Sequence, residues 1–94
     1  YNTYIMTREE TKTCVGKGWS NLLDEFFDRM KEGTIVHCVK EKFGGLRIDS
    51  YGADTSDLEV EIEDKSLTIC EECGEPGKPR EGSLVKTLCD NHAS

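Results

Sequence analysis

Four residues near the C-terminus have the types and the spacing that bind a transition metal. Cys70 and Cys73 form a C-x2-C pair, Cys89 and His92 form a C-x2-H pair, and fifteen residues separate the two pairs. Each pair fits one tight turn, and two facing turns can place four ligands in the tetrahedron that structural zinc adopts. Three thiolates and an imidazole fill that tetrahedron, whereas a catalytic zinc keeps one position open for water. The motif therefore predicts a structural Zn²⁺ with Cys70, Cys73, Cys89 and His92 as its ligands.

A second candidate site is basic. Lys40, Lys42, Arg47 and Tyr51 share one face of the hairpin that the sequence predicts after residue 34. Directly opposed like charges, such as Lys42 and Arg47, destabilise a hairpin unless an anion or a carboxylate neutralises them. The neutralising group is either the acidic segment that follows or a bound nucleotide-like anion. We therefore take these four as candidate ligand-binding residues.

The acidic segment itself has two interpretations. Residues 54–64 contain Asp54, Asp57, Glu59, Glu61, Glu63 and Asp64. Such a run is typical of a solvated face, and the alternative is mimicry of nucleic-acid phosphates. No catalytic residues are predicted, because His37 and Cys38 are neighbours in a strand and point to opposite faces, so they cannot act as base and nucleophile.

Length and charge restrict the classes of function. A chain of 94 residues makes one small domain with a thin core, which a metal, disulfides or oligomerisation must support. Five cysteines are an odd number, and no signal-peptide pattern or membrane span appears, so we expect the reducing cytoplasm and no membrane partner. The net charge of −7 argues against general nucleic-acid binding, which needs a basic surface.

The elements that must position these residues can also be predicted. An apolar stripe at helical spacing indicates an amphipathic helix; its members are Trp19, Leu22, Leu23, Phe26, Phe27 and Met30. Alternating apolar residues then indicate a β-hairpin turning at Gly44-Gly45, with Phe43 opposite Leu46 and on the core face with Ile35, Val39 and Ile48. Residues 56–69 fit a strand or a helix by their pattern, and the helix propensity of Glu together with the family resemblance described next favours a helix.

Four stretches of the chain resemble one family. They are Gly18-Trp19 opening the first helix, the run K-E-K-F-G-G-L-R at 40–47, residues 66–77 with C-E-E-C-G-E-P-G, and T-L-C-D-N-H-A at 87–93. The family consists of short, largely uncharacterised proteins encoded by bacteriophages and by bacterial genomes with phage-derived genes. The resemblance implies an intracellular protein ordered as helix, hairpin, helix and zinc ribbon, and makes a host-directed binder or inhibitor the expected function.

Together these patterns predict an α+β domain over residues 16–94, with a zinc ribbon at 66–94 and an N-terminal extension at 1–15. The expected function is non-enzymatic, zinc-stabilised binding of a host protein. The alternatives are sequestration of an anionic nucleotide-like molecule by the basic face and nucleic-acid mimicry by the acidic face. The pattern leaves the oligomeric state open, and a homo-oligomer is compatible with it.

Overall fold

The computed structural model describes residues 6–82 and 84–93. In chain order its elements are α1 (Arg8–Lys12), a 3-10 turn (Lys17–Trp19), α2 (Ser20–Arg29), β1 (Ile35–Lys42), β2 (Gly45–Tyr51), α3 (Ser56–Ser66), β3 (Lys78–Arg80), β4 (Lys86–Leu88) and α4 (Asp90–Ala93). This mixed arrangement confirms the predicted α+β class. The helix predicted after residue 55 is also confirmed, because α3 is helical through Ser66. No helix in the described ranges has the length and apolar character needed to span a bilayer.

The core lies between α2, the hairpin and α3. Its buried members are Trp19, Leu22, Leu23, Phe26, Val36, Val39, Leu46, Ile48 and Ile62. The predicted stripe of α2 supplies the first four, while Phe27 and Met30 are only partly buried at its edge. Burying one such side chain contributes about 1.5–3 kcal/mol, so this set accounts for most of the apolar driving force.

The hairpin turn lies one residue earlier than the sequence predicts. Lys42 pairs with Gly45, so Phe43 and Gly44 are the two turn residues, with φ of 53° and 83°. Two positive φ angles are typical of the type I′ turn that joins strands with the natural twist. The expectation that Phe43 faces the core was therefore wrong, and its side chain is 71% exposed. Glycine is favoured at position 44 because its φ is positive and because a Cβ there would lie 3.1 Å from the Thr87 hydroxyl oxygen, which donates a 2.6 Å hydrogen bond to the Gly44 carbonyl oxygen.

A β-bulge between Val36 and Cys38 changes the start of the hairpin. It brings Val36 into the core, where Ile35 was predicted, because one extra residue reverses the alternation of side chains. Beyond the bulge the predicted faces hold except at Phe43, and the basic residues lie on the outer side. In the observed register Lys40, and not Lys42, lies directly opposite Arg47.

Residues 6–12 pack against the domain. Arg8 forms ion pairs with Asp24 at 3.3 Å and Asp28 at 2.7 Å, and Lys12 reaches Asp24 at 2.8 Å. The amide of Met6 donates a 2.8 Å hydrogen bond to the carbonyl oxygen of Val36 in β1. The predicted extension is thus in contact with α2 and the hairpin over these residues, while residues 1–5 lie outside the described part of the chain.

Charged side chains also join α2 to α3. Lys65 lies 2.6 Å from Glu25 and 3.2 Å from Glu61, and Arg29 donates hydrogen bonds to both carboxylates. Arg29 and then Lys65 lower the pKa of Glu61 from its ordinary 4.5 to about 2. A carboxyl with a depressed pKa stabilises the fold above its unfolded pKa and loses that contribution as the pH falls through its folded pKa.

This network predicts a specific pH dependence. Replacing Glu61→Gln should lower the free energy of unfolding at pH 7, and the difference from wild type should disappear as the pH falls from 4.5 to about 2. Urea unfolding across this range measures it, and comparing two chains with the same cysteines and histidines cancels the effect of acid on a metal site. Glu32→Gln, at an exposed position without an ion pair in the described residues, is the control. A difference that stays constant from pH 7 to pH 2 would contradict the assignment.

Candidate metal centre and basic groove

The two predicted ligand turns face each other. The first follows α3 and closes through a 2.9 Å hydrogen bond from the amide of Gly74 to the carbonyl oxygen of Cys70. The second begins where β4 ends, and α4 carries His92, whose amide donates to the carbonyl oxygen of Cys89. Antiparallel pairing of β3 with β4 holds the turns together. As a result, one ligand atom from each of Cys70, Cys73, Cys89 and His92 lies within 4.8 Å of the other three.

The separations fit a tetrahedral metal ion. Cys73 Sγ lies 3.7 Å from Cys89 Sγ, and His92 Nδ1 lies 3.6 Å from Cys70 Sγ and 3.1 Å from Cys89 Sγ. Zn–S bonds of about 2.3 Å and Zn–N bonds of about 2.0 Å imply tetrahedron edges of about 3.8 Å and about 3.5 Å, respectively. A disulfide would need sulfur atoms about 2.05 Å apart, and all the described cysteines are free thiols. The cluster can therefore hold a metal ion.

The surroundings favour the thiolates of Cys70 and Cys89. At Cys73 a hydrogen bond from the amide of Glu75 acts to lower the pKa, but burial and the contacts with Cys70 and Cys89 outweigh it and raise the pKa. Burial raises the pKa of Cys70, but hydrogen bonds from the backbone amides of Cys89, Glu72 and Cys73 outweigh it and lower the pKa to about 6. The contact with His92 lowers the pKa of Cys89, and the same contact raises the pKa of His92. Because metal ligation requires deprotonated sulfur, these amides prepare the site for a cation. They also provide the outer hydrogen bonds that orient metal ligands.

A close backbone contact joins the first ligand turn to the core helix. The amide of Gly18 donates a 2.8 Å hydrogen bond to the carbonyl oxygen of Glu71, and the indole of Trp19 donates one of 2.9 Å to the carbonyl oxygen of Ile69. A Cβ at Gly18 would collide with the carbonyl oxygen of Cys70. Glycine is required here because the two backbones approach too closely for any side chain.

Hydrogen bonds through Glu71 and Thr87 join the first ligand turn to the hairpin turn. Buried Glu71 accepts a 3.2 Å hydrogen bond from the amide of Thr87, and the Thr87 hydroxyl donates to the carbonyl oxygen of Gly44. On the other side of the turn, Glu41 accepts a 2.8 Å hydrogen bond from the amide of Gly44. Burial raises the pKa of Glu71. Sequence reasoning missed this group, because an acidic residue between two cysteines carries no signal that it will be buried.

The Gly18 contact generates a test. Gly18→Ala should lower the free energy of unfolding by roughly 3 kcal/mol and weaken metal retention, since the methyl group must push the ligand turn away from Trp19. Gly82→Ala is the control, because the nearest atom to a Cβ there is 3.8 Å away. Urea unfolding and competition with a zinc chelator measure both effects. Equal stability and equal metal retention in the two variants would contradict the role of this contact.

The basic residues lie along a groove between the hairpin and α3. Lys40, Lys42 and Arg47 line this groove of about 290 Å³, and Val60 and Glu63 are among the residues opposite. Arg47 pairs with Glu63 at 3.3 Å, whereas Lys40 and Lys42 form no ion pair within the described residues. Tyr51, which the sequence grouped with them, lies outside the groove and packs against His37 with ring centroids 5.9 Å apart.

Four of the six acidic residues in the segment 54–64 have internal partners. Asp54 accepts a 3.1 Å hydrogen bond from the amide of Ser56. Glu59 accepts 2.6 Å hydrogen bonds from Ser50 and Thr55. Glu61 pairs with Arg29 and Lys65, and Glu63 pairs with Arg47. Only part of the segment is therefore a freely solvated acidic surface.

Comparisons of this chain with family models, curated proteins and solved structures find no match.

Proposed function

We propose that this chain is a non-enzymatic binding protein, stabilised by a structural zinc ion, that acts as a phage-type accessory or inhibitor by engaging a host protein. The observation that carries the proposal is the convergence of three cysteines and one histidine within 4.8 Å of one another. A tetrahedral ion with four protein ligands has no position for a substrate, so its role is to stabilise the fold. The phage and host assignment rests on the family resemblance of the sequence.

The position of the four ligand residues supports a stabilising role for a metal ion bound there. Its ligand turns contact the core through Gly18 and the hairpin turn through Thr87. An ion at this position would fix the orientation of both. Structural zinc contributes on the order of 10 kcal/mol in small motifs, which is as large as the total stability of a small domain.

The remaining cysteines have no paired base among the described residues. The thiol of Cys14 donates to the backbone carbonyl of Glu10, and Cys38 has no imidazole or carboxylate partner within the described residues. A thiol nucleophile is commonly activated by a base within hydrogen-bond reach. The proposed non-enzymatic role is consistent with this arrangement.

The zinc assignment predicts a measurable stoichiometry. Purified protein should contain one zinc ion per chain, and Cys89→Ser should lose most of it because a neutral hydroxyl is a poor replacement for a thiolate. Cys14→Ser and Cys38→Ser are matched controls that keep all four ligands and should retain the ion. Elemental analysis and cobalt substitution, with thiolate-to-cobalt absorption as the signal, measure this. Full zinc content in Cys89→Ser, or a different metal in all the variants, would contradict it.

A second candidate function is sequestration of an anionic nucleotide-like molecule. The groove favours it, because Lys40 and Lys42 line it without an ion pair in the described residues. The acidic face supports nucleic-acid mimicry less well, since Glu59, Glu61 and Glu63 already have partners inside the fold.

Native mass spectrometry of protein purified gently from its natural host separates these functions. Engagement of a host protein predicts a second polypeptide in stoichiometric amount and no retained small molecule. Sequestration predicts an extra mass of nucleotide size that disappears in Lys40→Ala and Lys42→Ala and persists in the control Lys31→Ala, whose side chain lies outside the groove. A retained nucleotide-sized mass without any polypeptide would overturn the host-protein proposal in favour of the second candidate.

A further inference from the structure

Two exposed apolar side chains lie side by side at the hairpin turn. Phe43 is 71% exposed and Leu84 is 74% exposed. With Val85 and Glu41 they line a cleft of about 230 Å³. The two sides of this cleft come from the hairpin turn and from the loop before β4. We call these four residues the hairpin tip.

The backbone at Phe43 has a conformation that disfavours a bulky side chain. Its φ of 53° places a bulky side chain in the left-handed region, and Phe43 is the one non-glycine residue with positive φ in the described part of the chain. Asn, Asp or Gly is favoured at this turn position, and an exposed ring gains little from folding. An aromatic residue here is therefore better explained by contact with another molecule than by the needs of the fold.

The hairpin turn is joined to β4. The Thr87 hydroxyl donates to the carbonyl oxygen of Gly44, and within the hairpin Glu41 accepts from the amide of the same glycine. These two bonds hold the backbone next to Phe43. A preorganised surface loses little conformational freedom on binding.

On the outer face of the hairpin the charge beside Phe43 is positive, whereas Glu41 of the hairpin tip lies on the opposite face of β1. Lys42 Nζ lies 5.8 Å from the centroid of the Phe43 ring, and Lys40 is exposed two residues earlier on the same strand. Neither lysine forms an ion pair in the described residues. A matching surface must therefore be apolar at its centre and acidic at its edges.

The outer side of α3 is such a surface. Asp57, Val60 and Asp64 follow each other at helical spacing i, i+3 and i+7, which places them on one stripe facing away from buried Ile62. Val60 is 58% exposed, and both aspartates are exposed without an ion pair in the described residues. We call these three residues the α3 stripe.

We propose that the hairpin tip of one protomer docks on the α3 stripe of a second copy of this chain. Val60 of the second copy packs against the exposed ring of Phe43, and its two aspartates lie opposite Lys40 and Lys42. Val60 and these two lysines line the same groove within one chain. A two-fold axis over that groove places the hairpin tip of each protomer on the α3 stripe of the other. The two contacts are equivalent, so the dimer is closed. This interface goes beyond the proposed binding of a host protein.

Removing the ring tests the apolar part of the contact. Wild-type protein should show a concentration-dependent dimer in sedimentation velocity that weakens as salt is added, because exposed charges are screened. Phe43→Asn should weaken dimerisation by about tenfold or more while the fold keeps its thermal stability, since Asn suits the positive φ. Tyr51→Asn removes another exposed ring, outside the hairpin tip, and should leave dimerisation unchanged.

Exchanging the charges tests the partner assignment. The variant Lys40→Glu/Lys42→Glu and the variant Asp57→Lys/Asp64→Lys should each remain monomeric, because like charges would then face each other across the interface. An equal mixture of the two should form mixed dimers, since every contact is again between opposite charges. Mixing does not alter repulsion within a chain, so recovery cannot come from a repaired fold. Circular dichroism and zinc content show that each variant is folded.

Three results would overturn the proposal. They are a wild-type chain that stays monomeric at every concentration, a dimer that Phe43→Asn leaves intact, and charge-exchanged variants that fail to combine when mixed. None of these bears on the host-protein proposal, which depends on a second polypeptide of different mass. Recovery of the dimer in the mixture, together with its loss in Phe43→Asn, would establish the interface.

Discussion

The packing of Gly18 against the carbonyl oxygen of Cys70 is the contact on which the rest of the structure depends. It joins the N-terminal end of the core helix to the first metal-ligand turn at a distance that only glycine allows. Trp19 follows at once, and its indole donates to the carbonyl oxygen of Ile69 while its ring is fully buried. One short segment thus fixes the ribbon and begins the core.

The same ribbon reaches the hairpin from the other side. Glu71 accepts from the amide of Thr87, and the Thr87 hydroxyl donates to the turn at Gly44. The cluster of Cys70, Cys73, Cys89 and His92 therefore lies between two contacts, one to α2 and one to the hairpin turn. The small core, with nine buried apolar residues in the described part of the chain, leaves much of the fold's stability to such links. Zinc at the cluster would replace the larger core that a longer chain could build.

Sequence patterns predicted the parts of the fold that depend on local spacing. The stripe of α2 and the C-x2-C and C-x2-H pairs are local, so their residues could be identified without coordinates. The turn position could not, because local preference favours Gly44-Gly45 over Phe43-Gly44, whereas the observed turn is tied to a hydrogen bond from distant Thr87. The bulge after Val36 and the burial of Glu71 depend on tertiary packing in the same way.

The distribution of paired and unpaired charges carries the remaining information about function. Glu61 and Glu63 form ion pairs with Arg29 and Arg47 of the same chain, so their charges give little information about a binding partner. Lys40 and Lys42 on the hairpin, and Asp57 and Asp64 on α3, are left without such partners in the described residues. Each unpaired group has an exposed apolar residue beside it, Phe43 for the lysines and Val60 for the aspartates. Under the proposed function a structural metal occupies all four positions of the Cys/His cluster, and recognition of a partner is then left to surfaces of this kind.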